Sequence, residues 1–306
     1  MGAPKSQCLM ELNPAYRIGL SATPRRNFDD IGSEKILDFY HQNTFEFSIK
    51  DAQREHYLVE YQYRILPCAM PEDDWELYKT FSREIVQLQH TLEQEDNEKE
   101  QLRLRQRIEG RYRDRAKLLK KNDQKAQTLQ TIFDEIPPTA RVLIYGDDLH
   151  HLAEIGQALD HMGKYYFKYT GELDAQKERP TILKEFRQGI RKILLAVGCL
   201  DEGIDIPACD VAVFISSSTS ERQFIQRRGR VLRVAPGKTS AWIYDYLVYP
   251  ILSARTNDDE RRLALSMIDA QYRRINLMVE DAINGIQERQ KLDQFLSQRR
   301  LNPYDF

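Results

Sequence analysis

Five arginines fall between positions 222 and 233 of this 306-residue chain, in the run RQFIQRRGRVLR. A guanidinium is always charged, and its planar fork matches the oxygens of a phosphate. Gln226, Arg227, Arg228, Gly229 and Arg230 close a predicted helix over 219–228, which follows an apolar strand, and Arg233 comes three residues later. If the helix continues, Arg230 and Arg233 share a face. Gly229 allows close backbone approach or a bend. A solvated basic helix end, favourable to the helix dipole, is the alternative. The glycine and the flanking strand favour a phosphate site.

Three other stretches carry groups suited to the same chemistry. LDEGIDIP (200–207) places Gly203 and Asp205 in a loop after the strand KILLAV, where a carboxylate could accept a ribose hydroxyl. A plain turn ending at Pro207 explains it equally well. LSATP (20–24) offers the hydroxyls of Ser21 and Thr23 past a predicted strand, although such hydroxyls most often cap locally. YTG (169–171) follows another strand; Thr170 and the Gly171 backbone could hold a phosphate, or form a simple turn. Two stretches imitate motifs without their context. PGKTS (236–240) has the tail of a phosphate loop, but that loop needs a glycine where Leu232 stands, so a turn is expected. DDLH (147–150) resembles an acidic metal motif and is expected to cap the helix starting near 148.

The elements that must position these groups follow from periodicity. YRIGLSA (16–22) reads as a buried strand, SEKILDFY as a short helix, and YLVEYQYRIL (57–66) as a strand ending at Pro67. Residues 71–136 change character. Leu77, Phe81, Ile85, Leu88 and Leu92 form one helical stripe, Leu104, Ile108, Tyr112 and Leu119 a second, and Ala126, Leu129, Phe133 and Ile136 a third. This predicts a helical hairpin leading into a third helix. From 141 strands and helices alternate: RVLIYG, a helix over 148–162, YYFKYTG, a helix over 174–188, KILLAV, DVAVFIS, and SAWIYDYLV after the arginines. Short apolar strands between helices predict a parallel sheet covered on both faces, with ligands at the carboxyl ends of its strands. A long helix, broken or not, follows from 256, with its stripe through Leu265, Ile268, Tyr272, Ile275, Val279, Ala282 and Ile286.

Composition sets bounds. Charged residues make up 30% and apolar residues 41%, and the formal net charge is −2. No global basic field exists, so contact with nucleic acid must come from a local groove. The four cysteines, Cys8, Cys68, Cys199 and Cys209, form no C-x-x-C and no zinc spacing. A reduced, cytoplasmic protein is expected, without signal peptide or membrane span.

Taken in order, LSATP, LIYGDD, YTG, LDEGID and QRRGRVLR resemble motifs III to VI of superfamily 2 helicases. The resemblance is to the XPB-like branch, which is itself similar to type III and type I restriction translocases, and it covers roughly 15–250. It implies a RecA-like parallel sheet with helices on both faces, plus a helical hairpin insert and a C-terminal helix. Residues 1–47 would be a remnant of the first RecA-like lobe and 48–70 the inter-lobe connection and first strand. A thumb-like helical insert would fill 71–136, the second lobe 137–250, and a helical extension 251–306. The resemblance makes Arg230 and Arg233 the arginines that reach the γ-phosphate of ATP, with Gln226 ordering that site beside Gly229. It places Gly203 and Asp205 near the nucleotide sugar and the nucleic-acid backbone, Ser21 and Thr23 in the coupling motif, and Thr170 and Gly171 in a backbone-binding loop. Val197 departs from the family, which carries Ser or Thr there.

No phosphate loop or acidic motif stands ahead of Ser21 in this sequence, so the C-terminal half of a longer enzyme is expected. ATP and Mg²⁺ would be bound mainly by an N-terminal RecA-like lobe, which becomes a partner along with duplex or single-stranded DNA. On the insert, Arg103, Arg105, Arg107, Arg111, Arg113, Arg115 and Lys117 could grip a duplex, or form a solvated face with salt bridges to Glu100, Glu109 and Asp114. The expected function is thus half of an ATP-dependent DNA helicase or translocase. Half of an RNA helicase, or a non-catalytic binding module, are the competing readings.

Overall fold

The computed structural model describes residues 16–21, 30–40, 45–121, 124–173, 177–197, 208–216, 221–253 and 255–302. In chain order its elements are α1 (Asp30–Phe39), α2 (Ile49–Arg54), β1 (Glu60–Met70), α3 (Glu72–Glu93), α4 (Glu98–Lys120), α5 (Gln124–Gln127) and α6 (Leu129–Glu135). There follow β2 (Val142–Gly146), α7 (Leu149–His161), β3 (Phe167–Tyr169), α8 (Glu178–Arg187), β4 (Ile193–Val197) and β5 (Val211–Phe214). The last are α9 (Glu221–Val231), β6 (Ser240–Pro250), α10 (Asp258–Val279) and α11 (Gly285–Gln298).

The strands form one sheet in the order β1-β6-β5-β2-β4-β3, and every pairing is parallel. Strands such as VLIYG and VAVF are buried at every position because both faces are covered. Alternate residues serve opposite layers. Leu143, Tyr145, Leu194, Ala212 and Ile243 pack with Phe186 of α8, Phe224 of α9, and Ile268 and Ile275 of α10. Val142, Ile144, Leu195, Val213 and Tyr246 pack with Leu129 and Ile132 of α6 and Leu152, Ile155 and Leu159 of α7. The result is the expected RecA-like sheet with helices on both faces.

β1 and β6 pair over eleven residues, from Glu60↔Ser240 to Met70↔Pro250. β1 runs through Pro67 rather than ending there; it is an edge strand, where a missing N–H can face away from the ladder. Its outward side is covered by the turn between α10 and α11. The Ile283 N–H donates to the Tyr61 carbonyl at 2.9 Å. The Asn284 side chain accepts from the Tyr63 N–H and donates to the Tyr63 carbonyl, both at 2.9 Å. Glu288 accepts from the Ile65 N–H at 3.3 Å. The helix read from 256, broken or not, is broken between Val279 and Gly285, and Ile286 is exposed.

Inside the sheet, Asp245 is fully buried. Its carboxylate accepts from the Tyr63 hydroxyl at 2.7 Å, the Tyr246 N–H at 2.8 Å and Arg274 Nε at 3.1 Å.

Other elements differ from their expected form. Residues 16–21 are not a strand, and Tyr16, Ile18 and Leu20 are exposed; a strand needs a neighbour for its N–H and C=O groups, and none of the described strands pairs with it. The inward face of α3 is Trp75, Tyr78, Lys79, Ser82 and Ile85, which leaves Leu77 outside. The third helix of the insert is two short ones, α5 and α6.

A Cβ placed on Gly285 would lie 1.7 Å from the Val279 carbonyl oxygen, whereas one on Gly229 meets nothing within 4 Å. Gly285→Ala is expected to cost about 1–3 kcal/mol, read as a lower urea midpoint. Gly229→Ala, inside a helix, is expected to gain up to about 1 kcal/mol in the same measurement.

Candidate functional site

The basic run divides by tertiary partner. Arg227 is buried with its guanidinium 4.9 Å from the centre of the Tyr145 ring. Arg228, also buried, donates to the Leu277 carbonyl at 2.7 Å and pairs with Asp281 at 3.1 Å. Gln226 and Arg230 lie four apart and share a half-buried face of α9. Arg233 is exposed beyond the end of the helix. Arg230 and Arg233 therefore do not share a helical face, because α9 stops at Val231. Gly229 sits within α9 and forms no separate turn.

The stop has a visible cause in the segment that resembles a phosphate-loop tail. Gly237 has φ +77°, so PGKTS makes a turn as expected. The turn sends buried Lys238 back to the end of α9, where its Nζ donates to the carbonyls of Val231 and, at 3.2 Å, Arg233. A cation on the last carbonyls of a helix satisfies orphan acceptors and suits the dipole.

The position of the arginines corrects the expectation of a carboxyl-edge site. α9 returns from the end of β5 over about 16 Å, its eleven residues rising 1.5 Å each. The Leu232 carbonyl then accepts from the Val59 N–H at 2.8 Å, and Arg233 forms an antiparallel bridge with Leu58. Leu58 and Val59 directly precede β1, whose first residue Glu60 pairs with Ser240 at the start of β6, so Arg233 stands at the amino edge of the sheet.

At the carboxyl edge, Thr170 and Gly171 follow β3 as expected. Thr170 is buried, and the Gly171 carbonyl accepts from Arg179 at 2.7 Å. Gly203, Asp205 and Thr23 lie outside the described residues, and Ser21 is exposed. Asp148 caps α7, accepting from the His151 N–H at 2.8 Å, as DDLH predicts. The same pair also holds the insert: Asp147 pairs with Lys120 at 2.8 Å and Asp148 with Lys121 at 2.5 Å. The Lys121 bond holds the Asp148 carboxyl below its usual range.

Buried Lys125 was not foreseen from sequence. Its Nζ donates to the carbonyls of Leu119 at 2.6 Å, Ile215 at 2.9 Å and Lys120 at 3.3 Å, joining the end of α4 to the end of β5. Burial pulls its ammonium down to about 7. A lysine just past a helix end, ahead of an apolar stripe, was the available signal.

On the hairpin, Arg111 turns inward, pairing with Glu84 of α3 at 2.6 Å and Asp114 at 3.0 Å. Arg115 lies 5.2 Å from the ring centres of Tyr78 and Tyr112. Arg103 pairs with Glu100. Arg105 and Arg107 are exposed and make no ion pair among the described residues. The seven basic residues are thus not one face, and Arg111 is a hairpin strut.

The parallel sheet with helices on both faces is a RecA-like fold. Residues 124–235 match the helicase conserved C-terminal domain. Over 58 residues the chain is 47% identical to Dicer-like protein 2-1 of Aspergillus niger, which covers 19% of this chain and 4% of that protein. Over 56 residues it is 41% identical to DNA 3'-5' translocase XPB2 of Sulfurisphaera tokodaii, covering 18% of this chain and 13% of that one. The chain thus spans a small part of the curated relatives it matches. Among solved structures, a fragment assigned as an HsdR subunit of a type I restriction enzyme from Vibrio vulnificus YJ016 superposes with a TM-score of 0.50. That likeness, at 20% identity over 78% of this chain and 41% of that chain, is one of fold.

His151 sits behind DDLH and accepts from the Asp147 N–H at 3.3 Å through Nδ1. Burial, aided by nearby Lys125, pushes its pKa down to about 4 from 6.5. The unfolded chain therefore binds a proton that the folded one refuses. Stability should be full above about pH 6.5 and fall by on the order of 2 kcal/mol as pH drops towards 4. Urea titrations across that range check this, and His151→Asn should flatten the slope.

Proposed function

We propose that this chain supplies one side of an ATP site in a superfamily 2 DNA translocase, with Arg230 and Arg233 as the groups that meet the γ-phosphate. The observation that carries the reading is the sorting of the arginine run. Arg227 and Arg228 are buried in the fold, while α9 and its end present Gln226, Arg230 and Arg233. Their edge is also the one by which the chain enters the sheet, since Leu58 and Val59 lie directly against Arg233 and Leu232. A first RecA-like lobe joined through residues 48–59 would meet the same edge.

In this reading ATP binds between the lobes. Arg230 and Arg233 donate to phosphate oxygens as charge develops, and Gln226 orders that contact. Gly203 and Asp205 approach the sugar, Ser21 and Thr23 couple closure to hydrolysis, and the Thr170–Gly171 loop meets a nucleic-acid backbone. Among the described residues no group of three His, Cys, Asp or Glu side chains could hold a metal. The resemblance assigns Mg²⁺ and most of the phosphate contacts to the first lobe. DNA is preferred because one relative is named as a DNA translocase. No helix among the described residues is long and apolar enough to cross a membrane.

In the protein carrying both lobes, Arg233→Ala should lower DNA-stimulated ATP hydrolysis by about 10³-fold with an unchanged thermal melt. Wild-type turnover would remove Arg233 from the mechanism. Parallel assays with duplex DNA, single-stranded DNA and RNA separate the DNA reading from an RNA helicase, and no stimulated hydrolysis at all would favour a binding module. For the hairpin, Arg105→Ala with Arg107→Ala should weaken duplex affinity and reduce the log–log salt slope by about 0.9 per lost phosphate contact. Arg111→Ala should instead lower hairpin stability and leave that slope alone.

A further inference from the structure

Arg228 occupies a place in the run to which the helicase resemblance gives no role, yet it joins three elements. Its Nη1 donates to the Leu277 carbonyl at 2.7 Å, lies 3.1 Å from Asp281 Oδ2, and reaches the Tyr61 hydroxyl at 3.3 Å. The Tyr61 hydroxyl donates onward to the Met278 carbonyl at 2.6 Å. The last turn of α10, a residue of β1 and helix α9 therefore converge on the guanidinium of buried Arg228. Burial pushes the Tyr61 phenol up to about 12, so it keeps the proton it donates.

We propose that Asp281 and Tyr61 are positioning residues for Arg230, acting through Arg228, so that the C-terminal helices set where that arginine stands. The inference rests on the ATP-site reading above. Arg228 and Arg230 are two positions apart on one rigid helix, about 3 Å along its axis. Removing the Asp281 carboxylate leaves a buried cation without its counter-ion, a costly state that is relieved by moving the guanidinium towards water. The end of α9 must move with it, and Arg230 moves too. A displacement of about 1 Å in a group that meets the transition state costs about a hundredfold in rate.

The test uses the protein with both lobes. Asp281→Ala and Tyr61→Phe should each lower kcat for DNA-stimulated hydrolysis by about 10–100-fold, with KM for ATP little changed. Asp281→Glu should restore most of the rate. Because the path runs through Arg230, Asp281→Ala added to Arg230→Ala should cost little more than Arg230→Ala alone. In this chain by itself, amide exchange over 225–232 should quicken in Asp281→Ala. If that variant proves too unstable to assay, Tyr61→Phe, which removes only the hydroxyl, decides. Wild-type kcat per folded molecule, or losses that add in full, would overturn the proposal. If Arg230→Ala and Arg233→Ala themselves hydrolyse ATP normally, the ATP-site reading fails first and this inference falls with it.

Discussion

A buried carboxylate must find enough partners to replace water, and Asp245 finds them on three elements at once. Tyr63 comes from β1, Arg274 from α10, and the Tyr246 N–H from β6 itself. Taking both charges out of water is expensive, and the pair persists because its other bonding positions are filled. Arg274 also donates to the Tyr246 carbonyl at 2.8 Å and lies 5.6 Å from the centre of the Phe224 ring on α9. The helices after β6 are for that reason part of the lobe. Neutralising Asp245 fixes where α10 runs, and one turn beyond Arg274 the same helix meets Arg228.

The lobe has two differently built ends. At the carboxyl edge the hairpin is rooted by Lys120, Lys121 and Lys125, while Lys79 of α3 pairs with Glu260 of α10 at 2.8 Å. Cross-links to β2, β5 and α10 make its base rigid with respect to the sheet. At the amino edge the chain enters, α9 ends, and the exposed arginine stands. Any coupling between the two ends has to pass through the sheet and α10, since the parallel crossovers keep them a helix length apart.

Much of this was legible in the sequence. Apolar runs such as VLIYG, ILLAV and VAVF could only be strands buried on both faces, and the alternation of strands with helices fixed a parallel sheet. The DDLH cap and the GKT turn were read correctly because each depends on local spacing. What escaped depends on tertiary partners. Nothing local distinguishes Arg227 and Arg228 from Arg230; Tyr145, Leu277 and Asp281 make that choice. The stripe read on α3 caught Ile85 but not the rest of the inward face, which includes Lys79 and Ser82, whose polar ends find Glu260 and Arg115. The edge of the sheet at which the arginines emerge was misread because a rule about where ligands sit was applied to a helix that runs the opposite way. Gly203, Asp205 and Thr23 keep only the support of the sequence.

The cover over β1 has a practical side. An eleven-residue outer strand is an adhesive surface unless its hydrogen-bonding groups are occupied. Here Ile283, Asn284 and Glu288 occupy them, from a stretch beyond the last strand. Cutting the chain after Pro250, where the sheet itself ends, would strip that guard and leave β1 open to its counterpart on another molecule. Stickiness between copies would then add to the loss of Arg274, the counter-ion of buried Asp245.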